Sequence, residues 1–174
     1  MKIVNLIIGI LIISISLSCS KKEEENPGSL GFYIDQSVLI TMVNEDGVDL
    51  LDPQIESAYN SSKVKIFHLI NNKKVFYYDN MLNAPGGYKT YNPYERLDSS
   101  YYVFCLLRTS TDGSTNEASQ STTYIEWNDN DTDTIKCQLY ESDGYLGCTK
   151  VWCNGKVVWE KEVDRGERMF NLIK

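Results

Sequence analysis

Short runs of β-branched and apolar residues alternating with polar ones, broken by Asn-Asn, Asn-Gly and Asp-Gly pairs, constrain this 174-residue chain more than any other feature. A period of two puts successive side chains on opposite faces, as in a half-buried strand, and no stretch keeps apolar residues at helical spacing for three turns. Residues 38–43 form one such run and end at Asp46-Gly47, a pair suited to positive φ. Residues 63–70 and 73–78 flank Asn71-Asn72, predicting a hairpin with a type I′ turn. Residues 149–153 and 156–160 flank Asn154-Gly155, predicting a second hairpin with Trp152 opposite Val157 and Val151 opposite Val158. Residues 101–107, 122–127, 134–140 and 169–173 read as further strands, and 53–59 allows a single helical turn. Seven or eight strands in one domain predict an all-β fold of two packed antiparallel sheets, a β-sandwich, with a partly closed β-barrel as the alternative. No internal repeat supports a propeller or solenoid.

The first 25 residues follow different rules. Lys2, the apolar run 6–13 and the small residues Ser16-Leu17-Ser18 read as a signal peptide over residues 1–18. Asn5, Ser14 and Ser16 interrupt a run already shorter than the roughly 20 apolar residues that span a bilayer. Ser18-Cys19 resembles the lipobox of bacterial lipoproteins, although Leu17 sits one place later than the family's leucine; the resemblance makes Cys19 the lipid acceptor. Ordinary secretory cleavage is the alternative. Residues 19–30 are polar, charged and turn-rich and form a tether that cannot pack into a core. Cys19 followed by Ser-Lys-Lys-Glu-Glu-Glu resembles the export signal of Bacteroidota lipoproteins sent to the outer face of the outer membrane. That resemblance implies a lipid-anchored protein on the cell surface, with the periplasmic face as the alternative location. Residues 31–174 remain for a single domain, enough for a hydrophobic core.

Cleavage after Ser18 leaves 16 basic against 24 acidic side chains, a net charge of −8, with no basic cluster along the chain. Nucleic acid is therefore not an expected partner, and the acyl chains on Cys19 are the expected membrane contact. Val48-Asp49-Leu50-Leu51-Asp52-Pro53, then TYIEWNDNDTDTIKC, then KVWCNGKVVWE together resemble a family of small lipoproteins of gut Bacteroidota with an immunoglobulin-like sandwich. The resemblance implies a fold and a location but no activity. In it, the leucines plug one end of the sandwich and Trp152 and Trp159 cover a sheet face.

Beyond Cys19, four cysteines remain, and alternation turns Cys105 and Cys137 inward, making Cys105–Cys137 the candidate disulfide. The alternative is four buried free thiols. No Cys or His pair has the close spacing of a zinc site, so no metal or other cofactor is expected. His68 lies mid-strand, and no Gly-x-Ser-x-Gly elbow accompanies it, so nucleophilic catalysis is not expected. Glu126 is the strand carboxylate to inspect for acid–base chemistry, but no second acid is singled out as its partner. Asn128-Asp129-Asn130-Asp131-Thr132-Asp133 opens like a calcium loop, yet Thr134 and Tyr140 stand where an EF-hand has Gly and Glu; a turn is the simpler reading.

Tyrosine is the compositional outlier, with 12 in the chain. Tyr88, Tyr91 and Tyr94 fall in GGYKTYNPY, whose Gly86-Gly87 and Pro93 predict a loop rather than a strand. Flat rings beside Asn and Lys suit a glycan or a protein ligand. The expected function is non-enzymatic binding through residues 77–94. The alternative is a structural or accessory lipoprotein of an envelope complex, with that loop packed and a strand edge making the contact.

Overall fold

The computed structural model describes residues 33–92, 102–106, 120–142 and 144–174, with the backbone alone for 102–106. Among the described residues eleven strands run in order: β1 (Tyr33–Asp35), β2 (Ser37–Val43), β3 (Lys65–Ile70), β4 (Lys73–Phe76), β5 (Tyr88–Tyr91), β6 (Tyr102–Leu106), β7 (Gln120–Asn128), β8 (Asp131–Ser142), β9 (Tyr145–Cys153), β10 (Lys156–Glu160) and β11 (Met169–Ile173). One short helix, α1 (Lys161–Asp164), precedes the last strand. The mainly β expectation holds. The larger sheet has the order β1-β9-β8-β7-β3-β4, with β10 also on β9, and curls into a half-barrel. The smaller has the order β11-β2-β6-β5.

Two features depart from a regular antiparallel sandwich. β1 pairs with β9, and β11 with β2, in parallel, so both sheets are mixed. An immunoglobulin-like arrangement is not clearly present, and the curled main sheet is nearer to the partly closed barrel. The parallel pairs arise because the two ends of residues 33–174 come to lie along strands distant in sequence, where no tight turn dictates direction.

Alternation builds the core as the sequence requires. β7 and β8 bury every second residue over much of their length, so Thr123, Ile125 and Trp127 face inward beside Ile135, Cys137 and Leu139. Val38, Ile40 and Met42 of β2 enter the same cluster, as do Phe170 and Leu172 of β11, and one core serves both sheets. Leu50 and Leu51 are buried in the same core. Phe32–Lys174 forms one compact unit. No helix among the described residues is long and apolar enough to cross a membrane.

Both Asn-led hairpins form. Asn71 and Asn72 have φ of 49° and 59°, and Asn154 and Gly155 have 50° and 82°, the paired positive values of a type I′ turn. In the second hairpin Trp152 faces Val157 as expected, but Val151 faces Trp159 rather than Val158. A bulge after Val157 absorbs one residue and turns Trp159 inward, where it is buried; strict alternation would have left the largest side chain of β10 outside. Trp152 stays partly exposed, with Lys150 Nζ 5.6 Å from its ring, so the two tryptophans do not cover one face.

The disulfide differs from the sequence expectation. Cys137 is bonded to Cys148, with Cα atoms 6.1 Å apart, and not to Cys105. The reason is topological: β8 and β9 are neighbours whose register shifts between Gln138 and Leu139, whereas Cys105 belongs to β6 of the other sheet. Cys153 is a buried free thiol, pushed up to about 12 by burial and then by the Asp133 charge.

Candidate functional site

β4 and β5 are the last strands of their respective sheets, and residues 77–87 carry the chain from one to the other. Pairing Asp79 N with Pro85 O at 2.8 Å and Gly87 N with Ala84 O at 2.9 Å closes this crossover on itself. Gly87 is required twice over. Its φ is +76°, and a Cβ there would come within 2.6 Å of the Tyr77 ring, which is buried against the core.

A groove of about 580 Å³ opens beside this crossover, lined by Ser61, Ser62, Lys65, Phe76, Tyr78 and Tyr88 over a floor that includes Val64 and Ile66. Strand alternation explains its rings. Tyr77 turns inward with its backbone N bonded to Ile66 O, so Phe76 and Tyr78 on either side of it turn outward, 53% and 65% exposed. Phe76 is held edge-on to Phe67, with ring centroids 5.4 Å apart. Asn60 caps a 3-10 turn (Ser61–Lys63), accepting from Ser62 N at 3.0 Å and Ser62 Oγ at 2.7 Å, and both serines line the groove. Tyr88 Oη donates to Ser61 O at 2.6 Å and ties β5 to that turn. Burial raises the Tyr88 phenol above its ordinary range.

Residues 88–91 do not form the expected loop. Tyr88 and Tyr91 belong to β5, which pairs with β6 from Tyr88–Cys105 to Tyr91–Tyr102. Three residues apart on a strand, they point to opposite faces and cannot build one platform. Tyr88 is half-buried against the core; Tyr91 is half-buried with Lys89 Nζ 4.4 Å from its ring. Tyr94 and Cys19 lie outside the described residues. The rings that the structure exposes together are Phe76 and Tyr78. The triplet Phe76-Tyr77-Tyr78 at a strand end carries that signal, because alternation makes its first and third members neighbours on one face.

The other sequence candidates have structural roles. His68 is buried on β3, its Nδ1 3.1 Å from Thr123 Oγ1 and its ring edge-on to Tyr77. Glu126 pairs with Lys74 across β7, β3 and β4. The acidic run 128–133 makes the turn between β7 and β8, where Asn128 accepts from Asn130 N at 2.8 Å. Its inward carboxylates meet an ammonium: Lys174 Nζ lies 2.7 Å from Asp131 and 2.8 Å from Asp133. Burial would lower the Lys174 pKa, but its bonds to these carboxylates outweigh that and raise it. Among the described residues no group of three His, Cys, Asp or Glu side chains could hold a metal.

No known protein family matches the chain, and no curated protein or solved structure is similar to it.

Proposed function

We propose that this chain is a lipid-anchored, non-enzymatic binding protein of the bacterial outer membrane, displayed on the cell surface, that holds a glycan in the groove between Phe76, Tyr78 and Tyr88. The observation that carries the reading is the pair of exposed rings, Phe76 and Tyr78, that line one groove together with hydroxyl-bearing Ser61 and Ser62. Apolar C–H faces of a sugar pack on aromatic rings while its hydroxyls take hydrogen bonds, so rings beside hydroxyls suit both parts of the ligand. The signal peptide and Ser18-Cys19 support the anchor, and the immunoglobulin-like Bacteroidota lipoproteins remain the proposed relatives.

The accessory-protein alternative draws on β4, an outermost strand with all four residues exposed. Against it, Lys73 and Lys74 stand on that strand, and lysines on an edge oppose pairing with another strand. A glycan array probed with the parent protein and with Phe76→Ala/Tyr78→Ala separates the two. Loss of anchoring aromatics lowers affinity by about 30-fold, for roughly 2 kcal/mol at a binding hot spot. Because both rings are largely exposed, the melting temperature stays nearly unchanged. A silent array, or array binding indifferent to both rings, overturns the glycan reading. For the anchor, Cys19→Ala is expected to abolish fatty-acid labelling and sedimentation with membranes.

A further inference from the structure

We infer that the opposite edge of the larger sheet holds a second ligand site, for an organic acid carrying one carboxylate on an apolar body. β1 pairs with β9 only as far as Asp35–Gly147, and β10 only as far as Glu160–Lys150, so the edge of β9 between them has no strand on that side. Arg168 fills this break. Its Nη2 donates to Cys148 O at 3.2 Å and its Nη1 to Ser37 O, while both nitrogens hold the Asp35 carboxylate at 3.0 Å. Its Cζ lies 4.9 Å from the centre of the Trp159 ring, and its side chain is 8% exposed. A cavity of about 560 Å³ opens beside it, lined by Leu39, Tyr145, Trp159, Lys161, Arg165 and Arg168, a volume in the range of small-molecule sites.

The apolar part of the site is held in place. Tyr145 lies across Gly147, where a Cβ would come within 2.1 Å of its Oη, and its ring stacks on Tyr33 with centroids 5.9 Å apart. Leu39 and Trp159 complete the wall. The charged part comes from residues 160–168, Glu-Lys-Glu-Val-Asp-Arg-Gly-Glu-Arg, which the fold sorts by sign. Lys161, Arg165 and Arg168 all line the cavity, whereas of the acids only Glu167 does. Glu160 is held by Lys150 at 2.9 Å, and Asp164 accepts from Glu160 N at 2.6 Å. The acids of the lining are occupied: Asp35 holds Arg168, and Glu167 is not free. Lys161 and Arg165 are exposed and bond to no carboxylate among the described residues. Trp159 Nε1 and Arg168 Nε are buried and meet no acceptor, so the lining carries more donors than the protein satisfies. A carboxylate supplies acceptors in the planar geometry of a guanidinium fork, and the rings and Leu39 cover its apolar body. Asp35 and Glu167 oppose a second negative charge on the ligand.

The test is isothermal titration calorimetry of the detergent-solubilised full chain with phenylbutyrate, a free organic acid; N-acetylphenylalanine, which presents the carboxylate of a peptide C-terminus; the amides of both; and inorganic phosphate. The expected result is saturable binding of at least one acid, with its amide bound about tenfold more weakly or less; the preferred acid assigns the source of the carboxylate. Arg165→Gly separates binding from folding. Arg165 has a φ of 45°, which glycine adopts without steric cost, so the melting temperature stays level or rises. Affinity for the acid falls by about tenfold as a charged donor is lost. Lys161→Gln weakens binding by less, as an exposed ammonium. Phe76→Ala/Tyr78→Ala leaves it unchanged, because that groove lies at the β4 end of the sheet. Amides or phosphate bound as tightly as the acids overturn the proposal. So does acid binding that ignores Arg165 or depends on Phe76 and Tyr78, and so does no binding of either acid by a folded sample.

Discussion

Replacing Lys174 by Met tests whether the charged network beneath the β7–β8 turn holds the two sheets together. The substitution keeps the apolar stem and removes the ammonium. In the parent, Lys174 Nζ lies 2.7 Å from Asp131 Oδ1 and 2.8 Å from Asp133 Oδ2, and the side chains of Lys174 and Asp133 are 18% and 3% exposed. Removing one partner of a buried ion pair costs about 3–5 kcal/mol when the other charge is left unsatisfied. Asp133 is not left bare: Trp127 Nε1 and Asn154 Nδ2 each donate to it at 2.7 Å. Asp131 likewise keeps the Tyr59 hydroxyl, which donates at 2.6 Å. These remaining bonds reduce the expected loss to about 2–3 kcal/mol, or a fall of roughly 6–10 °C in melting temperature for a domain of this size. The assay is thermal denaturation of Lys174→Met, Asp133→Asn and the double variant at neutral pH. The double variant should be no worse than the poorer single one, because each change removes the same interaction. A Lys174→Met melt within about 2 °C of the parent, or single effects that simply add, would refute the argument that this pair is a coupled, desolvated unit.

Three further outcomes are expected. Non-reducing peptide mapping should yield a Cys137–Cys148 linked peptide, and reduction should cost about 3 kcal/mol for a loop of this length; a Cys105–Cys137 peptide would contradict the topology. Gly155→Val should destabilise by about 1–3 kcal/mol although nothing lies within 4 Å of its added Cβ, because the cost is in the φ of +82°; Gly155→Asn should recover most of it, and equal melts for the two variants would show that φ is not the cause. Alkali should destabilise the domain. Cys153 is raised from 9.0 to about 12, so the folded state holds its proton more tightly, and the stability this contributes is complete below pH 9 and lost as pH rises towards 12. Tyr59, raised by burial and then by its bond to Asp131, and Lys174, raised by its carboxylate partners, act in the same direction above their ordinary values of 10.0 and 10.5. Melts that stay level from pH 8 to pH 11 would rule this out.

Local physics determined what the sequence showed by itself. Asn71-Asn72 and Asn154-Gly155 specify their turns because few other residues tolerate paired positive φ, and the inward sets of β2, β7 and β8 follow from a period of two. What stayed hidden depends on contacts between distant residues. β5 lies in a Gly- and Pro-bounded stretch and β1 is three residues long; each is a strand because β6 or β9 offers it a ladder. Cys148 rather than Cys105 reaches Cys137 because of a neighbouring strand and its register shift. The acidic run 128–133 meets Lys174 through β11, whose pairing with β2 no turn encodes. Ser61, Ser62 and Tyr88 reach one groove with Phe76 and Tyr78 for the same reason: turn angles and periodicity act over a few bonds, whereas the assignment of edges and pairs to one surface is made only when two sheets close over a shared core.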